Sequence, residues 1–255
     1  MEEIKVSIIT VCYNSEKTIR KTIESVLGQT YKKIEYIIVD GNSHDRTMDI
    51  VNEYKPSFEG RMKVVSEPDD GIYFAMNKGI KMATGELVGI INSDDWYEED
   101  AVEKIIVKYG ENKKDYMVLY GLTGIIKNGE MITELETSHE NLENEMISHP
   151  SCFITRATYE KYGLYNTKYT SVADYDLMLR YKRSNCVSFI PVHERIANFA
   201  LGGMSSTGAA YVDLIKLKMS YKKISRIKGY IEIFKSKASL CLEKHGMKFD
   251  DNGNE

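Results

Sequence analysis

The chain has 255 residues, enough to bury a sizeable hydrophobic core, and its 42% hydrophobic and 28% charged residues are those of an ordinary globular protein. A net charge of -4 argues against a general nucleic-acid binder. No stretch approaches the roughly 20 apolar residues of a membrane span, and the opening MEEIKVSIITVCYN lacks a signal-peptide layout, so a cytoplasmic chain is expected, free or resting on a membrane.

Residues 4–11, IKVSIITV, are short, apolar and β-branched and predict a buried strand. A helix follows over about 16–27, with Ile19, Ile23, Val26 and Leu27 at helical spacing and Gly28 as a stop. The pattern then repeats. A strand at 34–40 and a helix at about 46–54 precede a strand ending at Glu67, a helix over IYFAMNKGIKMA and a strand ELVGII. Alternation of this kind implies βαβ units, right-handed crossovers and a mostly parallel sheet flanked by helices, with ligands at the carboxyl ends of the strands. Those ends carry Thr10, Tyr13 and Asn14, then Asp40, Asn42 and Ser43, then Glu67, Asp69 and Asp70, then Asn92, Ser93, Asp94 and Asp95. Four successive strands thus deliver polar and acidic groups to one edge.

Beyond residue 110 the pattern changes. MVLYG, GIIKNG and MITEL predict short antiparallel strands, with KNG as a hairpin turn. HPSCFITRATYEKYG predicts a strand running into a short helix, and ADYDLMLRYKRS a helix with Leu177, Met178 and Tyr181 inward. A strand VSFIPV and a glycine-rich loop NFALGGMSSTG follow, and residues 209–244 form a basic amphipathic tail of one or two helices. The expected division is a domain over 1–205, with halves at about 1–110 and 111–205, and a helical tail over 206–255. Cys12, Cys152, Cys186 and Cys241 lack metal-ligand spacing and are expected to stay reduced, with Cys12 and Cys186 buried in strand-like runs. His44 and His139 are expected to be exposed.

An acidic sheet edge suits a hard divalent cation such as magnesium or manganese. The structural alternative for Asp94 or Asp95 is to cap the helix begun near EEDAVEKII. Neither a P-loop nor a dinucleotide fingerprint is present, so a phosphate would be neutralised by metal and not by a glycine cradle. Asp40 and Asp70, as acceptors, suit an imide N–H or a ribose hydroxyl.

The segments VSIITVCYNSEKTIRKTIESVLGQTYKKIEYIIVDGNSHDRT, SEPDDGIYFAMNKGIKMATGELVGIINSDDWY and ADYDLMLR, with GGMSS after the last strand, resemble family 2 glycosyltransferases over about the first 205 residues. The resemblance implies an α/β GT-A fold, a nucleotide-sugar donor (a uridine donor by default), a divalent cation and inversion at the anomeric carbon. The implied acceptor is a hydroxyl of a glycan or lipid-linked glycan in surface-polysaccharide synthesis. By correspondence with the family's motifs, Thr10, Tyr13, Asp40 and Asp70 contact the nucleotide. Asp95 is the metal ligand, and Asp94 faces the ribose or donor sugar. Ser93 stands where the metal motif's first aspartate is usual. Asp174 matches the catalytic base, although Ala173 replaces a usual glutamate. Asp176 is its rival, able to pair with Arg180 four residues on.

Weaker candidates carry two readings each. His149 contacts acceptor or diphosphate, or is a structural histidine. Trp96 lines the sugar pocket or packs in the core. Gly203 and Ser205 belong to a loop closing over the diphosphate or to a plain turn. His193 is a further metal ligand or, the commoner case, a surface histidine. The tail at 209–244 rests on an anionic membrane or packs on the catalytic domain. Rival functions are a non-catalytic nucleotide-sugar-binding assembly partner and, less in keeping with TVCYNSEKT, a sugar nucleotidyltransferase.

Overall fold

A computed structural model describes residues 4–202, 208–225, 227–230 and 232–233. Contacts divide the chain into two compact units, one of Met1–Thr167 with Asp174–Leu201 and one of Lys168–Ala173 with Gly202–Glu255.

The first unit is built on a nine-stranded mixed sheet. Its strands are β1 (Val6–Cys12), β2 (Ile34–Asp40), β3 (Met62–Ser66), β4 (Leu87–Ile90), β5 (Trp96–Tyr97), β6 (Met117–Lys127), β7 (Glu130–Leu135), β8 (Cys152–Thr155) and β9 (Ser188–Ala200). Its helices are α1 (Ile19–Leu27), α2 (Thr47–Tyr54), α3 (Ile72–Met82), α4 (Ala101–Asn112), α5 (Arg156–Tyr162) and α6 (Ala173–Arg183). The strand order is β3-β2-β1-β4-β8-β6-β9-β5, with β7 paired to β6. From β3 to β4 every pairing is parallel; β8 then runs antiparallel to both β4 and β6.

The parallel core forms as the apolar runs dictate. Every residue of β1 and β2 is buried, because helices cover both faces of a parallel sheet. Ile19, Ile23 and Val26 of α1 sink into the same core, as their spacing predicts. Leu177, Met178 and Tyr181 of α6 are likewise buried.

The second half differs from the sequence-based expectation. The segments MVLYG and GIIKNG join into one long strand, β6, and β9 extends to Ala200, well past the expected VSFIPV. As expected β6 runs antiparallel to β7, and it is antiparallel to β8 too, but it pairs in parallel with β9, with register shifts near Tyr120–Thr123. The sheet passes without a break across residue 110. The hairpin turn is as expected: Asn128 and Gly129 have φ of 53° and 85°, the left-handed pair that a two-residue turn demands. Cys186 is exposed, in the turn before β9, whereas Cys12 and Cys152 are buried. His139 is half-buried, stacked on Phe189 with centroids 5.4 Å apart and bonded to the Tyr120 hydroxyl at 2.7 Å.

In the second unit α7 (Gly208–Ser220) carries Asp213, which accepts from the Thr170 N–H at 2.7 Å and pairs with Lys216 at 2.9 Å. Most of the expected tail beyond α7, and the residues Gly203 and Ser205, lie outside the described residues. Among the described residues no helix is long and apolar enough to cross a membrane.

Candidate active site

The parallel register lines up the last residues of three strands. Cys12 lies beside Asp40, and Asp40 beside Ser66. Asp40 is completely buried, and its carboxylate accepts from four groups. Oδ1 takes the Ser43 hydroxyl at 2.5 Å and the Cys12 thiol at 3.6 Å; Oδ2 takes the Ser66 hydroxyl at 2.6 Å and the Ser43 N–H at 3.0 Å. A direct contact between Asp40 and a nucleotide therefore has to displace one of these donors. Thr10 is equally buried and accepts from the Tyr36 hydroxyl at 2.9 Å. Burial, with the nearby Asp40 carboxylate, raises the Cys12 thiol far above its ordinary range, so it stays protonated as a donor.

Above this row the loops are cross-tied. Asn14 adopts a left-handed φ of 49°. Its N–H donates to the Ser43 hydroxyl at 2.8 Å, and its side-chain oxygen accepts from the His44 N–H at 2.9 Å. The hydroxyls of Ser15 and Ser93 meet at 2.7 Å, joining the ends of β1 and β4. This bracing presents Tyr13, 60% exposed, as an open aromatic surface. Asp70 is exposed nearby in sequence to Asp69, whose carboxylate takes the Gly71 N–H at 2.9 Å. A Cβ at Gly41 would stand 3.1 Å from Asp69 Oδ2 and 3.4 Å from the Tyr13 ring, so glycine lets these loops close on one another.

The acidic pair sits in the turn after β4. Asp94 is half-buried and burial raises its carboxyl. Asp95 is fully buried; burial first, and then the neighbouring Asp94, push its carboxyl well above the usual range. Its Oδ1 accepts the Ala200 N–H at 3.0 Å, tying the turn to the end of β9. The Asn92 Oδ1 is buried with no donor among the described residues. Neither aspartate caps α4, which begins at Ala101 after the short β5 intervenes. Trp96 of β5 has Lys21 over its ring, 3.0 Å from the centroid, so that face is covered.

Among the described residues no lysine or arginine pairs with Asp40, Asp94, Asp95 or Asp174. Nor do three His, Cys, Asp or Glu side chains there form a ready metal cage. The donor set still fits a hard cation. Asn92, Asp94 and Asp95 offer only oxygen and amide groups, one oxygen lacks a donor, and a magnesium-type ion completes its shell with water and phosphate.

Asp174 opens α6. Its half-buried carboxylate accepts at Oδ1 from the Tyr175 N–H at 2.9 Å and from the Tyr73 hydroxyl at 3.2 Å. Burial raises its carboxyl, and these two bonds, with its own N–H, only partly offset that. Asp176 is instead 4% exposed and held by Arg180 at 2.9 Å, and that arginine also donates to the carbonyls of Tyr162 and Leu164. Its environment is that of a structural ion pair. His149 is buried too, its imidazole pushed down to about 4 by burial and its Nε2 without a partner among the described residues. His193 is exposed and meets Glu136 at 3.2 Å.

Sequence reasoning placed Asn92 at its strand end but missed Tyr73 and the end of β9. Tyr73 stands beside Ile72 in a helix judged by its aliphatic stripe, and a tyrosine within a buried face is a visible signal. Ala200 contributes through its backbone, which no residue type reveals.

This architecture and site belong to a recognisable class. The sequence model of glycosyl transferase family 2 matches residues 7–163, and the chain is a member of that family. The chain is similar to the PGL/p-HBAD biosynthesis glycosyltransferase of Mycobacterium bovis, 29% identical over 216 residues that span 84% of each chain. Its structure is similar to that of TarS 1-349 from S. aureus in complex with UDP-GlcNAc, with a TM-score of 0.69 and 21% identity over 84% of this chain and 65% of that one. It is also similar to the mannosyltransferase PcManGT of Pyrobaculum calidifontis in complex with GDP-Man and Mn2+, with a TM-score of 0.64 and 17% identity over 94% of this chain and 70% of that one. The fold is the GT-A glycosyltransferase fold.

Proposed function

We propose that the chain transfers a sugar, with inversion, from a nucleoside-diphosphate donor to a hydroxyl of a glycan or lipid-linked glycan in polysaccharide or glycolipid synthesis. The carrying observation is Asp174: a half-buried carboxylate at a helix start, hydrogen-bonded on one oxygen and lacking a cationic partner among the described residues. The relative that acts in PGL/p-HBAD biosynthesis and the neighbours that bind UDP-GlcNAc and GDP-Man support the substrate class.

On this reading Tyr13 offers its ring face to the base and Asp70 accepts from base or ribose, while Thr10 and Asp40 hold the turn beneath them. Asp94 faces the donor's ribose or sugar. With Asp95 it would hold a divalent cation, which when bound offsets the negative charge of the departing diphosphate. A sugar hydroxyl is a weak nucleophile, so Asp174 takes its proton as it attacks the anomeric carbon. Attack from the side opposite the diphosphate breaks the anomeric C–O bond, inverts the centre and needs no covalent enzyme intermediate. His149, neutral and buried, packs behind the acceptor side. Gly203 and Ser205 remain proposed diphosphate contacts. A membrane contact through residues 209–244 would suit a lipid-linked acceptor.

The test is a donor panel of UDP-GlcNAc, UDP-glucose, UDP-galactose and GDP-mannose with manganese, followed by nucleoside-diphosphate release. At least one donor is expected to be cleaved. Saturable donor binding with no cleavage of any, with or without added glycan acceptors, would favour a non-catalytic binder instead.

A further inference from the structure

The hydroxyl of Tyr73 has no step of its own in the proposed chemistry, yet it is bonded to the residue that chemistry depends on. Tyr73 is 6% exposed, on the first turn of α3, and donates to Asp174 Oδ1 at 3.2 Å across a sequence separation of 101 residues. Its ring stacks on Tyr165 with centroids 5.5 Å apart and planes 23° apart. One turn further along α3, Asn77 clamps the Tyr165 backbone from both sides, donating to its carbonyl at 2.9 Å and accepting its N–H at 3.0 Å. The helix that carries the hydroxyl is thus locked to the segment that leads towards α6. The Tyr175 N–H occupies the same Oδ1 at 2.9 Å. Both bonds fall on Oδ1, so neither of these donors occupies Oδ2, the oxygen that can meet an incoming hydroxyl.

We propose that Tyr73 is the positioning residue of the reaction, orienting Asp174 so that Oδ2 meets the acceptor hydroxyl. The inference rests on Asp174 being the base. A hydrogen bond to the charged form also favours that form, so the same contact keeps Asp174 ionised against the burial that opposes it. The titratable groups facing Asp174 are Tyr73 from α3, Cys152 from β8 and Tyr165; burial raises both the Cys152 thiol and the Tyr165 phenol, so neither brings charge near neutral pH. Loss of the Tyr73 hydroxyl therefore leaves only backbone N–H groups to favour the charged form.

The test is Tyr73→Phe, which keeps the ring stacked on Tyr165. Carbon-13 NMR of the Asp174 carboxyl, assigned by its disappearance in Asp174→Asn, reads the titration without any substrate. Removal of the hydroxyl is expected to raise the midpoint by roughly one pH unit. With the donor found active in the panel, kcat is expected to fall roughly fivefold, with donor KM within about twofold and the acid limb of the rate profile shifted upward. An unchanged Asp174 midpoint, or an unchanged rate and acid limb, would each overturn the positioning role. Full activity in Asp174→Asn would fail the underlying reading instead, a result recognisable without Tyr73→Phe.

Discussion

Glu35 and Asp40 stand at opposite ends of β2, both buried, and the chain treats them differently. Glu35 lies 3% exposed at the amino edge of the parallel sheet. It receives the Ser7 hydroxyl at 2.5 Å, the Thr84 and Gly85 N–H groups at 2.5 and 3.2 Å, and two lysines, Lys63 at 3.0 Å and Lys5 at 3.1 Å. Burial pushes its carboxyl up, but bonds from Ser7, Thr84, Lys63 and Lys5 outweigh that and bring it down to about 2. Gly85 is needed for this knot, since a Cβ there would stand 2.6 Å from the Ser7 nitrogen. At the carboxyl edge Asp40 is satisfied by hydroxyls, a thiol and one N–H, and Asp94, Asp95 and Asp174 have no cation among the described residues. One edge closes its own electrostatics; the other leaves a deficit of positive charge that a ligand can fill. A buried carboxylate marks function less by its burial than by what neutralises it.

The sharpest way to break this contrast is Asp174→Asn. Transfer is expected to drop roughly a thousandfold or more, the scale of a lost general base, with donor affinity by calorimetry nearly unchanged. Turnover close to wild type would remove Asp174 from the chemistry. At the other edge, Glu35→Gln turns an acceptor against converging donors and should cost roughly 3 kcal/mol of unfolding free energy in urea. Its specific activity measured well below the melting temperature should match wild type; a selective loss of donor binding would mean the two edges are not functionally separate.

Glu35 also sets a pH signature. Its folded value, about 2, lies below its ordinary 4.5, so its stabilisation is complete above about 4.5 and is lost as the pH falls towards 2. Stability of the Glu35→Gln variant should therefore be flatter between pH 5 and 2 than that of wild type, as followed by thermal melts. Chelation addresses the carboxyl edge directly. Excess EDTA is expected to lower donor turnover about a hundredfold, with manganese or magnesium restoring it, and turnover that persists in chelator would dismiss the cation. The smallest effect expected is that of Ser66→Ala, which removes one donor from Asp40 and should cost about 1 kcal/mol. It should also weaken donor binding severalfold, since the turn under Tyr13 loosens; donor affinity equal to wild type would restrict Asp40 to stability.

Much of this was legible in the residues. The β-branched runs of β1 and β2 can be satisfied only by burial on both faces, so their strands are marked by composition alone. Asp176 could be separated from Asp174 by its i+4 arginine, and the ion pair is there at 2.9 Å. The second half was less readable because β6 and β9 are distant in sequence, and strands that pair across such a span carry no local mark of their direction.

The sequence by itself determined the alternating elements, the acidic strand ends and the family, because these follow from periodicity and residue type along the chain. The tertiary structure alone decided how each carboxylate is answered: Asp40 sealed by four neutral donors, Asp95 turned to the Ala200 backbone, Asp174 held by a tyrosine from a remote helix. The physical reason is that a carboxylate's charge state and direction are set by the donors and burial around it, and those arrive from strands and helices that meet only when the sheet has formed.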